Sequence, residues 1–328
     1  MAINQDATLW YAQNGLWTRA GRFSHTAGAV AAGFYKASGA DFTADLATYD
    51  LHVTGQNTYV SWGAGAAGFP RTAWMDTLSK NGVIANYVWE PKLYTTAPGN
   101  YPAPNGKMTY WTNSVNFYSW TQVTSGALDQ LFDDVADAVK ALPYAINIQI
   151  CSERDTDHQF GGTINGVPYT YAQLDALSVT GVSYIINRFK NRGVTNATFS
   201  AGMAGFSTNG SLYARCYCPD VDIVQFNCYN HGTWRSAETN FFEQYALLSA
   251  LPAGAADKPV WIAEWGCDAD VRRPAYFRSV PAVIAKLPRI KFMAYFNSTV
   301  WGTIDPSDTA SWQGLKDCYD DPLFGGNG

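Results

Sequence analysis

The run KPVWIAEWG, residues 258–266, decides how the rest of the chain is read. Lys258-Pro259 breaks with what precedes it, and Val260 to Ala263 form an apolar stretch of strand character. Glu264 then interrupts the apolar run between Ala263 and Trp265. A lone carboxylate in such surroundings is costly unless a partner or a task holds it there. Working outward, helical patterns flank the run at about 238–251 and 274–287. Beyond them lie two more strand-like runs, VDIVQF at 221–226 and IKFMAYF at 290–296. Short apolar strands alternating with helices mark βα units around a parallel sheet.

The alternation continues toward the N-terminus. Further strand-like runs fall at 29–36 (AVAAGFYK), 58–62, 83–89 (VIANYVW), 145–150 (AINIQI) and 197–201. Helical patterns lie near 43–53, 71–80 and 127–142, then in a stretch that ends near Gly193, and last at 308–318. Leu128, Leu131, Phe132, Val135, Val139 and Leu142 form one stripe at helical spacing. Pro143 stops that helix, and Ile146, Ile148 and Ile150 share one face of the next strand. Eight strand–helix pairs predict the α/β class: a single (β/α)8 barrel, or TIM barrel, over about 29–324. It lies within one catalytic domain, 1–328, and residues 1–28 are an N-terminal extension. An open, nucleotide-binding sheet would carry a glycine-rich phosphate loop after its first strand, and GFYKASGAD at 33–41 is not one. Residues 91–126 exceed a normal strand-to-helix loop and hold Tyr94, Tyr101, Tyr110, Trp111, Phe117, Tyr118 and Trp120. They predict an aromatic-rich insertion after strand three, folded over the barrel mouth.

Composition narrows the ligand. Among 328 residues the net charge is -5, which argues against a nucleic-acid or polyanion partner. Aromatic residues equal charged ones at 15% each, with 12 Trp and 20 Tyr, a surplus of rings that suits a neutral, hydroxylated ligand. No apolar run approaches membrane-spanning length. The N-terminus, MAINQDATLWYAQNG, shows no signal peptide. The expected setting is extracellular or virion-associated. The six cysteines (151, 216, 218, 228, 267 and 318) have no zinc-ligand spacing, and their even count permits disulfides without demanding them.

In such barrels the active site lies at the C-terminal ends of the strands. Strand three ends in Trp89-Glu90-Pro91, strand four in Cys151-Ser152-Glu153-Arg154-Asp155, strand six in Asn227-Cys228-Tyr229-Asn230 and strand seven in Ala263-Glu264-Trp265. Asn297 closes strand eight, with Trp301 beyond it. Glycoside hydrolysis requires two carboxyls flanking the scissile bond, one to donate a proton and one to attack. Glu153 and Glu264 are the best placed pair, with Glu90 and Asp155 as alternative carboxylates. Arg154 would stabilise an ionised Glu153 if it pointed inward, so it is expected to point away. His158 and His231, with Asp155 or Asp157, could hold a metal only if the loops after strands four and six converged. The favoured reading uses neither metal nor cofactor.

The segments ICSERD, FNCYN, KPVWIAEWG and IKFMAYFNSTVW resemble glycoside hydrolase family 26, a family of (β/α)8 barrels that includes β-mannanases and lichenases. The similarity covers most of 29–324 and is strongest from residue 146 onward. It implies Glu153 as acid/base, Glu264 as nucleophile and Tyr229 as the residue that orients the nucleophile. It also implies Trp301 as a sugar platform after strand eight. Trp89-Glu90-Pro91 is similar to the family's Trp-His-Pro. Substrate contacts are thus expected from Trp89, Glu90, Trp265, Trp301, His158 and Asn297. Three positions depart from the family pattern: Ser152 stands where the family has His, Asp155 where it has Asn, and Glu90 where it has His.

The resemblance implies a retaining glycoside hydrolase that cleaves a polysaccharide or oligosaccharide by double displacement, an endo-acting, mannanase-like β-glycanase, acting as a monomer. Two alternatives stay open. One is a phage- or bacterium-derived depolymerase of a bacterial cell-wall glycan of the galactan or arabinan type, and the other is a non-catalytic carbohydrate-binding barrel.

Overall fold

The structure is a computed structural model that describes residues 8–13, 16–21, 30–36, 39–93, 101–110, 113–154, 163–164, 167–168, 170–205, 210–298 and 303–324. Eight strands close into a barrel: β1 (Ala31–Lys36), β2 (Gly55–Ser61), β3 (Ile84–Glu90), β4 (Ile146–Ile150), β5 (Ala197–Ala201), β6 (Ile223–Asn230), β7 (Val260–Cys267) and β8 (Ile290–Asn297). Each strand pairs in parallel with its neighbours in the chain, and β8 returns to β1. The (β/α)8 reading therefore holds. The strand at 58–62 in the sequence begins earlier, at Gly55, because the polar Gln56 and Asn57 belong to it.

The helices are α1 (Thr43–Tyr49), α2 (Ala73–Lys80), α3 (Trp120–Thr124), α4 (Asp129–Lys140), α5 (Tyr171–Asn191), α6 (Gly210–Cys216), α7 (Ala237–Ala246), α8 (Arg273–Ile284) and α9 (Thr309–Tyr319). At α2, α3, α5, α7 and α9 a side chain takes up an otherwise unpaired backbone N–H group and sets the start of the helix. Thr170 and Gln173 form a reciprocal capping box on α5, and Ser236 caps α7. The stripe on α4 is buried as its spacing predicts: Leu131, Phe132, Val135 and Val139 are all inaccessible to solvent. Each such side chain contributes about 1.5–3 kcal/mol by leaving water.

The strands turn mostly apolar side chains outward to the helices, and polar side chains from β2 to β6 fill the middle of the barrel. Ile146, Ile148 and Ile150 join the large core between strands and helices. Their neighbours Asn147 and Gln149 point inward instead, into a connected set of buried side chains. Asn86 Nδ2 donates to Asn57 Oδ1 at 2.7 Å, Asn147 Nδ2 to Asn86 Oδ1 at 2.7 Å, and Gln225 Nε2 to Gln149 Oε1 at 2.8 Å. Beneath this layer a small apolar plug closes the floor, where Trp261 stacks on Phe292 at 4.4 Å between ring centroids. A buried polar layer is stable when its members satisfy one another, and in this chain of amides Gln149 Nε2 is the one described side-chain group left without a hydrogen-bond partner.

Between β3 and α4 lie a three-stranded antiparallel sheet (Lys92–Leu93, Gly106–Tyr110, Asn113–Phe117) and α3. Phe117, Tyr118 and Trp120 are buried in the main core, so these three rings serve packing. Among the sequence-predicted aromatics of this region, Tyr94 and Trp111 lie outside the described residues. All six cysteines are buried. Two hairpins, Thr8–Gln13 with Leu16–Gly21 and Thr163–Ile164 with Val167–Pro168, complete the described elements.

Candidate active site

Glu264 reaches the barrel interior through a bulge that takes up one extra residue in β7. Phe226 and Cys228 of β6 pair with Ile262 and Trp265, and on the other side Met293 and Tyr295 of β8 pair with the same two residues. One residue on each neighbour, Asn227 or Ala294, thus opposes two on β7, which makes a bulge at Ala263-Glu264. Strict alternation from the inward Trp261 would send Glu264 toward the helices. The bulge turns it inward and puts Trp265 on the helix side. The Ala263 carbonyl, displaced from the ladder, accepts from Asn57 Nδ2 at 3.1 Å.

Two phenols hold the Glu264 carboxylate. The Tyr59 hydroxyl, from β2, donates to Oε1, and the Tyr229 hydroxyl, from β6, donates to Oε2. Tyr35, Phe296, Tyr59 and Tyr229 form an aromatic wall around it. Tyr35 stacks on Phe296 at 4.6 Å, and Tyr229 meets Phe296 edge-on at 6.1 Å. Only 3% of Glu264 is exposed, and burial pushes its carboxyl up to about 8. Donation by two hydroxyls acts in the opposite sense, favouring the ionised form.

Glu153 is placed by different means. It follows β4 in a turn where Cys151 has φ 61° and Glu153 has φ 48°. Left-handed backbone at residues other than glycine costs about 1–2 kcal/mol each and persists only where the surroundings impose it. Glu153 is half-buried, and Asn227 Nδ2 donates to its Oε1 at 3.0 Å. Asn227 and Tyr229 sit two residues apart on the inward face of β6, so a single strand segment anchors both carboxyls. Gly205 (φ +70°) makes room for this: a Cβ there would lie 1.6 Å from the Asn227 carbonyl oxygen. Arg154 turns away, as expected, to the Cys216 carbonyl and to Ser178 Oγ at 3.4 Å.

Other expected contacts sit elsewhere. Trp89 and Trp265 are fully buried on the helix side, Trp89 among Trp62, Phe132 and Phe189, and Trp265 among Phe241, Phe277 and Tyr295. Neither offers a face to a sugar; each adjoins an inward glutamate in sequence and so points the other way. Glu90 is 1% exposed, and its Oε2 lies 3.3 Å from Lys92 Nζ while Oε1 accepts from the Ser152 N–H at 2.6 Å. It braces protein rather than facing open space. Asn297 is buried, and its Oδ1 accepts from the Ile304 N–H at 2.9 Å, which ties Ile304 to the end of β8. His158, Asp155, Asp157 and Trp301 lie outside the described residues. His231 Nδ1 lies 2.8 Å from Asp268 Oδ1.

Tyr59 is the site residue that the sequence reading missed. It stands two positions after Asn57 on β2, and starting that strand at Thr58 hid the shared inward parity.

No protein-family model matches the chain, and no curated protein matches it in sequence. Solved structures do. The GH26 β-mannanase BoMan26A from Bacteroides ovatus is 12% identical, with a TM-score of 0.63 over 90% of each chain. A modular endo-β-1,4-mannanase from Cellulomonas fimi is 14% identical, with a TM-score of 0.60 over 90% of this chain and 71% of that one. The Bacillus subtilis mannanase man26 is 14% identical, with a TM-score of 0.57 over 90% and 86%. At these identities the likeness is one of fold: the chain has a (β/α)8 barrel similar to those of glycoside hydrolase family 26 mannanases.

Proposed function

We propose that the protein is a retaining glycoside hydrolase that cleaves a polysaccharide, with Glu264 as nucleophile and Glu153 as acid/base. The observation that carries this reading is a buried carboxylate aimed into the barrel by a bulge, held by two phenols, and joined through β6 to a second carboxyl. A structural glutamate in an apolar strand would be expected to have a cation beside it, whereas Glu264 is held by neutral hydroxyls that leave it a charge to use. The fold shared with mannanases agrees with this.

In the first step Glu264 attacks the anomeric carbon while Glu153 gives its proton to the leaving oxygen. In the second, Glu153 takes a proton from water, which releases the sugar from Glu264. Tyr59 and Tyr229 hold the attacking carboxylate in one orientation throughout. Retention requires the carboxyls to stand about 5–5.5 Å apart, and shared anchoring on Asn227 and Tyr229 is compatible with so short a span.

The test is a hydrolysis screen of wild type and Glu264→Ala against mannans, mixed-linkage glucans, xylans and bacterial arabinogalactan, with product sizes read by chromatography and anomeric configuration by NMR. Cleavage by wild type alone, with retained configuration, supports the proposal. Equal cleavage by both proteins makes Glu264 structural. Binding without cleavage would turn the barrel into a carbohydrate-binding module. The family resemblance favours an endo-acting, mannanase-like enzyme. The placement of Glu90, which leaves the end of β3 without the family's His, keeps the bacterial cell-wall depolymerase in view. Cleavage of arabinogalactan with mannan left intact selects that reading.

A further inference from the structure

We infer that Glu90 is a positioning residue for Glu153, and that Lys92 makes the inserted sheet after β3 part of the same brace. The inference rests on the proposed role of Glu153. Three observations carry it. First, the turn that presents Glu153 is held out of its preferred conformation, with left-handed residues at 151 and 153 and Ser152 between them. Such a turn needs external fixing on the residue in the middle. Second, that fixing is present: the buried Glu90 carboxylate accepts the Ser152 N–H at 2.6 Å, and a charged acceptor makes a shorter and stronger hydrogen bond than a neutral one. Backbone bonds from Cys151 N to the Trp89 carbonyl at 3.1 Å and from Arg154 N to the Gly202 carbonyl at 3.2 Å tie down the two ends of the turn. Third, Lys92 places Glu90. Its ammonium lies 3.3 Å from Glu90 Oε2 with 5% of the side chain exposed. Its backbone belongs to the inserted sheet, paired with Phe117, and its carbonyl accepts from Ser61 Oγ at the end of β2 at 2.5 Å.

The ends of β2, β3 and β4 and the root of the insertion therefore meet at one ion pair, which bears on the acid/base turn through Ser152. A sugar contact would instead keep one carboxylate oxygen open to the mouth, whereas Glu90 gives one oxygen to Ser152 and the other to Lys92. Loss of the brace should blunt proton transfer while leaving substrate binding intact.

The experiment compares wild type, Glu90→Ala, Glu90→Gln and the double variant Glu90→Gln/Lys92→Met. The double variant keeps the acceptor and removes both charges, so it leaves no buried ion unpaired if the single variants fold poorly. Two readouts are taken. Exchange of the Ser152 amide, followed by NMR without any substrate, should accelerate by about 100-fold in Glu90→Ala and return toward wild type in the double variant. Steady-state hydrolysis of mannan should show kcat lowered by about 10–100-fold with KM within about threefold of wild type. Unchanged Ser152 exchange in Glu90→Ala overturns the brace. So does a raised KM with unchanged kcat, which would make Glu90 a sugar contact. If the wild type leaves mannan intact, the substrate proposal fails there, and Ser152 exchange alone still decides the brace.

Discussion

The two glutamates of the candidate site are presented by opposite devices. Glu264 sits within a strand, fully buried, on a bulge backed by aromatic rings, with a phenol on each oxygen. Glu153 sits past the end of a strand, half-buried, on a left-handed turn, with an amide on one oxygen. A nucleophile must keep a fixed direction with little movement, which a strand and two rigid rings provide. An acid/base must give and take protons at two different oxygens in sequence, which suits a turn nearer to solvent. Differences in surroundings of this kind are how one site assigns separate tasks to two chemically identical groups.

The largest expected effect tests that division directly. Glu264→Ala should lose about 10⁴-fold or more in kcat, and added azide should restore turnover, giving a glycosyl azide of inverted configuration. Glu153→Gln should lose about 10²–10⁴-fold on glycans, and much less on aryl glycosides whose leaving group needs no proton. Equal loss on both substrate types would erase the contrast between the two residues.

Next come the phenols. Tyr59→Phe and Tyr229→Phe each remove a donor to a charged acceptor, worth about 1.5–3 kcal/mol, or roughly 10–100-fold in rate. Attack needs ionised Glu264, so the rate should rise with pH through its pKa, which burial sets at about 8 in the empty site. Each Phe variant favours the protonated form and should move that acidic limb to higher pH. A limb that stays in place would show that the hydroxyls carry no charge stabilisation.

Stability gives a smaller signal with a definite sign. Between the ordinary 4.5 and about 8, folded Glu264 keeps a proton that the unfolded chain has released. Stability therefore falls as pH rises through this window and stays lower above it. Glu264→Gln escapes the loss, so its melting temperature should gain on wild type from pH 5 to pH 9, by the equivalent of about 3–5 kcal/mol. The smallest effect is a floor for the others. Lys286→Ala breaks an exposed pair with Glu238, both 57% accessible, and should change stability by under about 0.5 kcal/mol and kcat not at all.

The barrel was legible because eight apolar runs alternate with helical stripes, and Glu153, Glu264 and Tyr229 because they close three of those runs. The aromatic contacts were misread for a reason the sequence itself contains. Trp89 adjoins Glu90 and Trp265 adjoins Glu264, and neighbours on a strand face opposite ways; if the glutamates point into the barrel, the tryptophans cannot. Tyr59 was hidden because Gln56 and Asn57 look like loop residues unless it is known that Asn57 joins a polar layer inside the barrel while Gln56 bonds outward to α2. The brace at Glu90 was out of reach of pattern reading, since it joins residues 90, 92 and 152 across three strand ends.

The extra residue in β7 makes the direction of Glu264 a matter of counting as much as of chemistry. Because the bulge absorbs Ala263, Trp265 keeps the neighbours that a straight strand one residue shorter would give it. Removing Ala263 would therefore leave Glu264 facing inward and Trp265 facing the helices, while taking away the carbonyl that Asn57 holds. Straightening the strand with Ala263 in place would do the reverse, turning the carboxyl into the helix layer and Trp265 toward the barrel interior. Such a chain would keep every letter and lose the site.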